Sequence, residues 1–208
     1  MTSPTSRPRA LLRSFVPADF LTLGNAACGT GAIFACLNHL EQAHRALPLL
    51  IGFALLPLAL LLDLADGIVA RESRHSPFGA DLDSLADVIS FGVAPAVLGF
   101  TLGLRGLWDI LVLCAFVCCG VSRLARYNVT ASALADATGK VRYYEGTPIP
   151  TSLVLVGVLA IAWTLDRTGD AMWLGQVRIG GGTLHPIVLM YAASGAAMVS
   201  ARLRIPKP

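Results

Sequence analysis

Charged residues are scarce in this chain, where they account for 14% of 208 residues, whereas soluble domains carry about 25%. The mean hydropathy is correspondingly high, at +0.66. The sequence also lacks internal repeats and low-complexity tracts, and no short apolar core with a small-residue cleavage site follows its basic first 16 residues. These absences argue against a soluble protein, a repeat protein and a cleavable signal peptide, and they point to a protein of the lipid bilayer.

Apolar runs of the length that a bilayer requires recur six times along the sequence. A membrane-spanning helix needs about 20 mainly apolar residues, and the runs cover residues 18–38, 47–70, 82–103, 107–127, 148–165 and 184–201. The segments between them are too short to bury a core of their own. We therefore predict an all-α fold, a polytopic bundle of six transmembrane helices that forms a single domain over residues 1–208. The basic, amphipathic segment 11–16 predicts an additional N-terminal helix lying in the membrane interface.

Lysine and arginine residues are distributed unevenly between the two ends of these helices. One end receives 12 of them and the other receives 4, namely Arg45, Arg105, Arg167 and Arg178. Basic loops stay in the cytoplasm, so both termini and the loop at 71–81 are expected on the cytoplasmic side. The chain is therefore predicted to be an integral protein of the cytoplasmic (inner) membrane.

Four aspartates interrupt the second and third apolar runs. Asp63 and Asp66 are three residues apart on one predicted helix, and Asp83 and Asp87 are four apart on the next, so each pair shares a helix face. A hairpin of the two helices would bring the pairs together near the cytoplasmic surface. Carboxylates at bilayer depth cost several kcal/mol each, and hard divalent cations with oxygen ligands are the natural compensation. The four acids suit two Mg²⁺ or Mn²⁺ ions, a pairing that typically clamps phosphoryl oxygens.

Other interpretations of the polar and thiol groups carry less weight. Ion pairs with neighbouring arginines would leave four acids sharing too few bases. A divalent-cation carrier would use the acids as its ion site, but carriers usually bind at the midplane between repeated halves, and no repeat is visible here. The five cysteines all lie within apolar runs without a polar partner nearby, so they are expected to be packing thiols.

The spacing of the acids and of the small residues beside them resembles the motif of the CDP-alcohol phosphatidyltransferases. That motif reads D-x2-D-G-x2-A-R, a spacer, then G-x3-D-x3-D. All of its fixed positions are present, as Asp63, Asp66, Gly67, Ala70, Arg71, Gly79, Asp83 and Asp87. The spacer of seven residues is one shorter than the more common length, which bears on the geometry of the loop and leaves both acid pairs intact.

Further segments, at residues 22–25, 83–96, 122–128 and 145–150, are similar to the phosphatidylserine synthase branch of that family. The resemblance covers about residues 15–165. It implies an enzyme that transfers the phosphatidyl group from CDP-diacylglycerol to L-serine, releases CMP and forms phosphatidylserine. The same chemistry with glycerol phosphate, inositol phosphate or a choline-like alcohol as acceptor stays open as an alternative.

The resemblance also implies a role for each motif residue. The metal ligands would be Asp63, Asp66, Asp83 and Asp87. Of these, Asp87 would also be the catalytic base for the serine hydroxyl, which is a poor nucleophile near neutral pH without a positioned proton acceptor. The expected nucleotide contacts are Asn25, Asp66, Gly67, Ala70, Arg71 and Gly79.

The acceptor pocket is expected around the cytoplasmic end of the fourth predicted helix. Arg126 is the preferred partner of the serine carboxylate, and Arg123, Tyr127 and Asn128 are close to it in sequence. Glu145 is expected to meet the serine ammonium group. For Asn25, Arg123 and Arg126, purely structural roles stay open at this stage. The implied partners are CDP-diacylglycerol, L-serine, membrane lipid and a second copy of the chain, and no nucleic acid is expected.

Overall fold

Helices dominate this computed structural model, which describes residues 15–42, 45–72, 78–134, 143–200 and 204–206. The helices are α1 (Pro17–Glu41), α2 (Leu47–Glu72), α3 (Gly79–Asp87), a π-helix (Val88–Val93), α4 (Ala94–Thr101), α5 (Leu107–Leu134), α6 (Leu153–Thr164) and α7 (Leu189–Val199). The strands are β1 (Tyr143–Glu145), β2 (Val177–Ile179), β3 (Gly182–Leu184) and β4 (Arg204–Pro206). Short 3₁₀ turns precede α6 and α7.

Four helices are long and apolar enough to cross a membrane, at Pro17–Glu41, Leu47–Ala70, Gly79–Thr101 and Leu107–Val129. The fifth and sixth predicted spans correspond to two shorter apolar helices, Ile149–Thr164 and Pro186–Val199. The predicted helical fold with helices able to span a membrane is thus confirmed, whereas the count of six spans stays a prediction. The proposed interfacial helix at 11–16 falls largely outside the described residues.

Two small antiparallel sheets are an addition to the expected all-α fold. The pair β1–β4 joins the segment before α6 to the segment after α7. Strands β2 and β3 form a hairpin in the segment that connects α6 to α7. Strand β2 is Val-Arg-Ile and is followed by consecutive glycines, the composition of a strand that leads into a tight turn.

The third spanning helix widens into a π-helix at Val88–Val93. Pro95 is the second residue after the end of the π-helix, and a proline ring inside an α-helix clashes with the carbonyl four residues earlier. Widening of the helix just before the proline relieves that clash. The carbonyl of Pro95 accepts a hydrogen bond from the Tyr191 hydroxyl at 2.6 Å, which ties this helix to α7.

Helix α1 packs closely against the π-helix and α2. The Ser90 hydroxyl donates to the main-chain carbonyl of Asn25 at 2.9 Å. A Cβ atom added at Gly29 would lie 2.7 Å from the Ser90 Cα, so only glycine allows this approach. Small residues bring helices together in this way where lipid offers little driving force for association. The contact fixes α1 beside the acids at the end of α2 and the start of α3.

The segment after β1 is anchored on the last turn of α7. The backbone N–H of Thr147 donates to the Ala197 carbonyl at 3.2 Å, and Gly146, at φ +77°, contacts the Met198 carbonyl so closely that a side chain would collide with it. This arrangement places residues 145–147 at the same end of the bundle as Arg126, which donates to the Val199 carbonyl.

Candidate active site

Three of the four aspartates meet where α2 and α3 come together. Ligand oxygens of Asp63, Asp83 and Asp87 all lie within 4.8 Å of one another. Asp87 is buried, and one of its carboxylate oxygens has no hydrogen-bond partner. Like charges so close together in a site of low polarity repel strongly. The donor set is oxygen only, which fits Mg²⁺ or Mn²⁺.

The fourth acid faces α1. Asp66 is buried and accepts a hydrogen bond of 2.6 Å from the Thr22 hydroxyl. It still interacts electrostatically with Asp63 and Asp83, and also with Asp19 of α1. The expectation of two facing pairs is therefore replaced by a group of three acids with a fourth held beside it. Sequence reasoning does not identify Thr22 as the partner of an acid, although Thr22 stands in the segment at 22–25.

Small residues leave the surface of α2 beside the acids open. A Cβ atom added at Gly67 would meet nothing within 4 Å, and Ala70 is exposed one turn further on. Gly79 is the first residue of α3. A ligand can therefore approach this stretch of backbone closely. The side chain of Arg71 lies outside the described part of the structure.

Asn25 of α1 is a polar residue buried inside the bundle. It is 0% exposed, and neither atom of its amide has a hydrogen-bond partner among the described residues. A buried amide without a partner costs about 1–3 kcal/mol. Asn25 lies one turn beyond Thr22 on α1, so its amide sits just deeper than the bond between Thr22 and Asp66. A bound ligand or water is the expected partner.

Two of the predicted acceptor residues lie against the acid-bearing helix. Arg123 is buried on α5 and attracts Asp83 and Asp87 electrostatically. Its guanidinium carbon lies 5.8 Å from the centre of the Tyr127 ring. Asn128 donates to the Ser84 hydroxyl at 2.9 Å, and thereby links α5 to the residue that follows Asp83.

Arg126 and Glu145 contact the C-terminal part of the chain. One terminal nitrogen of Arg126 donates to the Val199 carbonyl at 3.3 Å, so at least part of its guanidinium group caps α7. Glu145 belongs to β1, paired in register with Arg204 of β4, but its side chain lies outside the described part of the structure. Of the predicted basic residues, Arg123 thus has the clearest relation to the acids.

Comparisons with known proteins point in one direction. The model of the family described as CDP-alcohol phosphatidyltransferase matches residues 15–198. A protein of Saccharomyces cerevisiae named CDP-diacylglycerol–serine O-phosphatidyltransferase is 38% identical over 96% of this chain and 73% of its own length. A Bacillus subtilis protein of the same name is 32% identical over 72% of this chain and 77% of its own length.

An archaeal protein extends the range of these relatives. The Methanocaldococcus jannaschii protein, also named CDP-diacylglycerol–serine O-phosphatidyltransferase, is 40% identical over 67% of this chain and 58% of its own length. No solved structure gives a significant match.

Proposed function

The chain belongs to the CDP-alcohol phosphatidyltransferase family, and from that premise we propose that it transfers the phosphatidyl group of CDP-diacylglycerol to L-serine. The products are CMP and phosphatidylserine, so the enzyme serves phospholipid biosynthesis. The observation that carries this proposal is the convergence of Asp63, Asp83 and Asp87 within a chain whose relatives are named for this reaction.

The reaction requires a proton acceptor at the serine hydroxyl. Asp87 is proposed to accept this proton as the hydroxyl oxygen forms a bond to the β-phosphorus, which carries the diacylglycerol ester. The bond from that phosphorus to the bridging oxygen then breaks, and CMP leaves. The partnerless oxygen of Asp87 supports the assignment, because a carboxylate oxygen without a hydrogen bond is available to a substrate proton.

The carboxylates are proposed to hold two divalent cations, Mg²⁺ or Mn²⁺. Asp63, Asp66, Asp83 and Asp87 are the proposed ligands, with Asp66 oriented by Thr22. When bound, such ions neutralise the diphosphate and stabilise the charge on departing CMP. The oxygen-only donor set of the three converging acids supports this choice of ion.

The nucleotide is proposed to lie along the open surface of α2. Its contacts are Asn25, Asp66, Gly67, Ala70, Arg71 and Gly79. The open space at Gly67 lets the diphosphate approach the backbone, and the buried amide of Asn25 offers both a donor and an acceptor to a phosphate or to cytosine. An arginine at position 71 suits a phosphate because its guanidinium group can donate two parallel hydrogen bonds.

Serine is proposed to bind between α5 and the acids. Arg126 is the proposed partner of the serine carboxylate, with Arg123, Tyr127 and Asn128 around it and Glu145 at the ammonium group. The position of Arg123 beside Asp83 and Asp87 supports an acceptor site on this side of the acids.

The arrangement of the chain in the membrane is proposed from the distribution of its basic residues. We propose six spans, an interfacial helix at 11–16, both termini and the active site on the cytoplasmic face of the inner membrane, and a homodimer. The uneven distribution of lysine and arginine, 12 against 4, supports the orientation. Water-soluble serine and membrane-bound CDP-diacylglycerol would then meet at the cytoplasmic end of the hairpin.

An acceptor panel tests the function directly. Purified enzyme is incubated with labelled CDP-diacylglycerol and, separately, with serine, glycerol phosphate, inositol phosphate and choline, with and without Mn²⁺. We expect metal-dependent labelling of phosphatidylserine alone, with CMP released in equal amount. Labelling with a different alcohol would replace serine as the acceptor, and ion uptake without release of CMP would favour a cation carrier.

Replacing Arg126 by Ala should raise the KM for serine about 10-fold or more while the KM for CDP-diacylglycerol changes little. The reason is that a hydrogen bond to a charged group is worth about 1.5–3 kcal/mol. Steady-state kinetics with each substrate varied in turn makes the measurement, and Arg45→Ala, which removes a charge at the other end of the bundle, is the control. An unchanged KM for serine would remove Arg126 from the acceptor site.

A further inference from the structure

The β2–β3 hairpin lies at the end of the bundle opposite to the acids. It is docked on the start of α5, whereas Asn128, which contacts the acid-bearing helix, is about 20 residues and roughly 30 Å further along α5. The Trp108 indole N–H donates to the Ile179 carbonyl at 2.9 Å. Asp109 accepts hydrogen bonds from the backbone N–H of His185 and of Gly106, at 2.8 and 2.9 Å. The hairpin is therefore anchored on the start of α5.

A cleft of about 400 Å³ lies between this hairpin and the start of α5. Its lining includes Arg105, Arg178, Gly180, Gly181, Gly182 and Thr183, and no acidic residue. Arg178 is exposed and has no hydrogen-bond or ion-pair partner among the described residues. Arg105 uses two of its nitrogens on the carbonyls of Phe100 and Thr101, which does not neutralise its charge. Arg105 also borders a neighbouring cavity whose lining includes Asp166 and Asp170, so Arg178 is the charge of the cleft for which the described lining offers no acid.

The backbone at the tip of the hairpin adds donors to these charges. Gly180 has φ +58°, and a Cβ atom added at either Gly180 or Gly181 would meet nothing within 4 Å. A ligand can therefore reach main-chain N–H groups at this turn, and consecutive glycine amides in a turn are a known kind of anion cradle. Guanidinium groups next to free amides favour a phosphate.

The flank of the cleft is apolar. Leu107 lines the cleft and is exposed, as are Trp108 and Ile110, which follow it on α5. Val177 and Ile179 are also exposed, but they lie on the face of β2 opposite to Arg178. Trp is typical of the level of lipid headgroups. A phosphate held by Arg105 and Arg178 would therefore have apolar surface directly beside it, as a phospholipid requires and a free phosphate does not.

We propose that this cleft binds the phosphate of an anionic phospholipid from the leaflet opposite to the active site, with the acyl chains along the exposed apolar residues at the start of α5. The site is independent of the phosphatidyl transfer proposed above. It would hold the outer ends of α4 and α5 against the hairpin in the bilayer.

The test compares lipid binding by matched variants of the full-length protein. Delipidated protein in detergent is titrated with phosphatidylglycerol or phosphatidylcholine and examined by native mass spectrometry. We expect Arg178→Gln to weaken binding of phosphatidylglycerol about five-fold, the effect of one basic residue at a lipid surface. Arg167→Gln, which removes an exposed charge outside the cleft, should change nothing. Gly181→Asp, where a side chain has open space, should also weaken binding.

The difference between variants measures the cleft, because phosphatidylglycerol can also enter the active site. Equal losses in Arg178→Gln and Arg167→Gln would overturn the proposal, since net charge alone would then explain binding. Equal affinity for the two lipids would also overturn it. Displacement of phosphatidylglycerol by millimolar inorganic phosphate would show a site for free anions and not for lipid. Phosphatidyl transfer by Arg178→Gln should match that of the unaltered protein.

Discussion

Replacing Asp87 by Asn should lower the rate of phosphatidyl transfer by about 10²–10⁴-fold, the usual contribution of a general base, while binding of CDP-diacylglycerol at saturating Mn²⁺ is largely retained. The amide keeps the shape of the side chain but cannot accept the proton of the serine hydroxyl. Rates are measured by release of CMP, and lipid binding by retention of labelled CDP-diacylglycerol on the purified protein with Mn²⁺ present.

Asp81→Asn is the matched control for this experiment. Asp81 lies on α3 with Asp83 and Asp87, but it is exposed and stands outside the group of converging acids. Its replacement removes the same charge from the same helix and should leave the rate within about two-fold of normal, as surface substitutions usually do. If Asp87→Asn lost binding and transfer together, Asp87 would be a metal ligand without a separate role as base.

The helix positions of the acids were largely predictable from the sequence. Spacings of three and four residues place side chains on one face of a helix, and a short connection between two apolar runs predicts an antiparallel hairpin. Those two rules bring Asp63 to Asp83 and Asp87, as the structure shows. The positions of the small residues beside the acids were likewise predictable, because the family motif specifies them.

The divergence of Asp66 was not predictable in the same way. Residues three apart on a helix are offset by about 60° around its axis, which is enough for one to face α3 and the other α1. Which acid faces which helix depends on the packing of α1, and that packing rests on Gly29 against Ser90. Such long-range contacts leave no periodic pattern in the sequence.

The small sheets and the π-helix were missed for related reasons. Strand β1 pairs with β4 across about 60 residues, and three-residue strands are too short to give a periodic signal. The π-helix depends on Pro95 within a continuous span. Proline in a membrane helix indicates a local adjustment but does not say whether the helix will kink, tighten or widen.

Replacing Asp63 by Asn should abolish metal-dependent transfer and, at the same time, stabilise the metal-free protein. Oxygens of Asp63, Asp83 and Asp87 lie within 4.8 Å of one another, so their charges repel when no cation is bound, and a hydrogen bond between Asp63 and Asp87 relieves only part of this repulsion. The amide removes one of these charges at constant volume. Each kcal/mol of relieved repulsion should raise the melting temperature by about 2–4 °C for a chain of this size.

Addition of Mn²⁺ should reverse the order of the two melting temperatures, so that the unaltered protein melts above Asp63→Asn. The unaltered protein gains stability in proportion to the logarithm of the metal concentration over its Kd. Asp63→Asn should lose most of this gain, because removal of a direct ligand costs more than the roughly 10–100-fold in affinity that loss of an outer-shell partner costs. Thermal unfolding of both proteins and of Asp81→Asn, in EDTA and across a series of Mn²⁺ concentrations, makes the measurement.

Whether Asp63→Asn melts above or below the unaltered protein in EDTA separates two roles for the acids. An acid that served mainly as a structural partner of basic residues would leave those residues uncompensated when replaced, so Asp63→Asn would then melt below the unaltered protein in EDTA. An acid kept for metal sits in a site that is strained without its ion, and the replacement raises stability as it removes function. We expect the second outcome, because oxygens of Asp63, Asp83 and Asp87 converge to within 4.8 Å of one another. That is the arrangement of ligands around a shared ion, whereas acids that serve as structural partners are paired with separate bases.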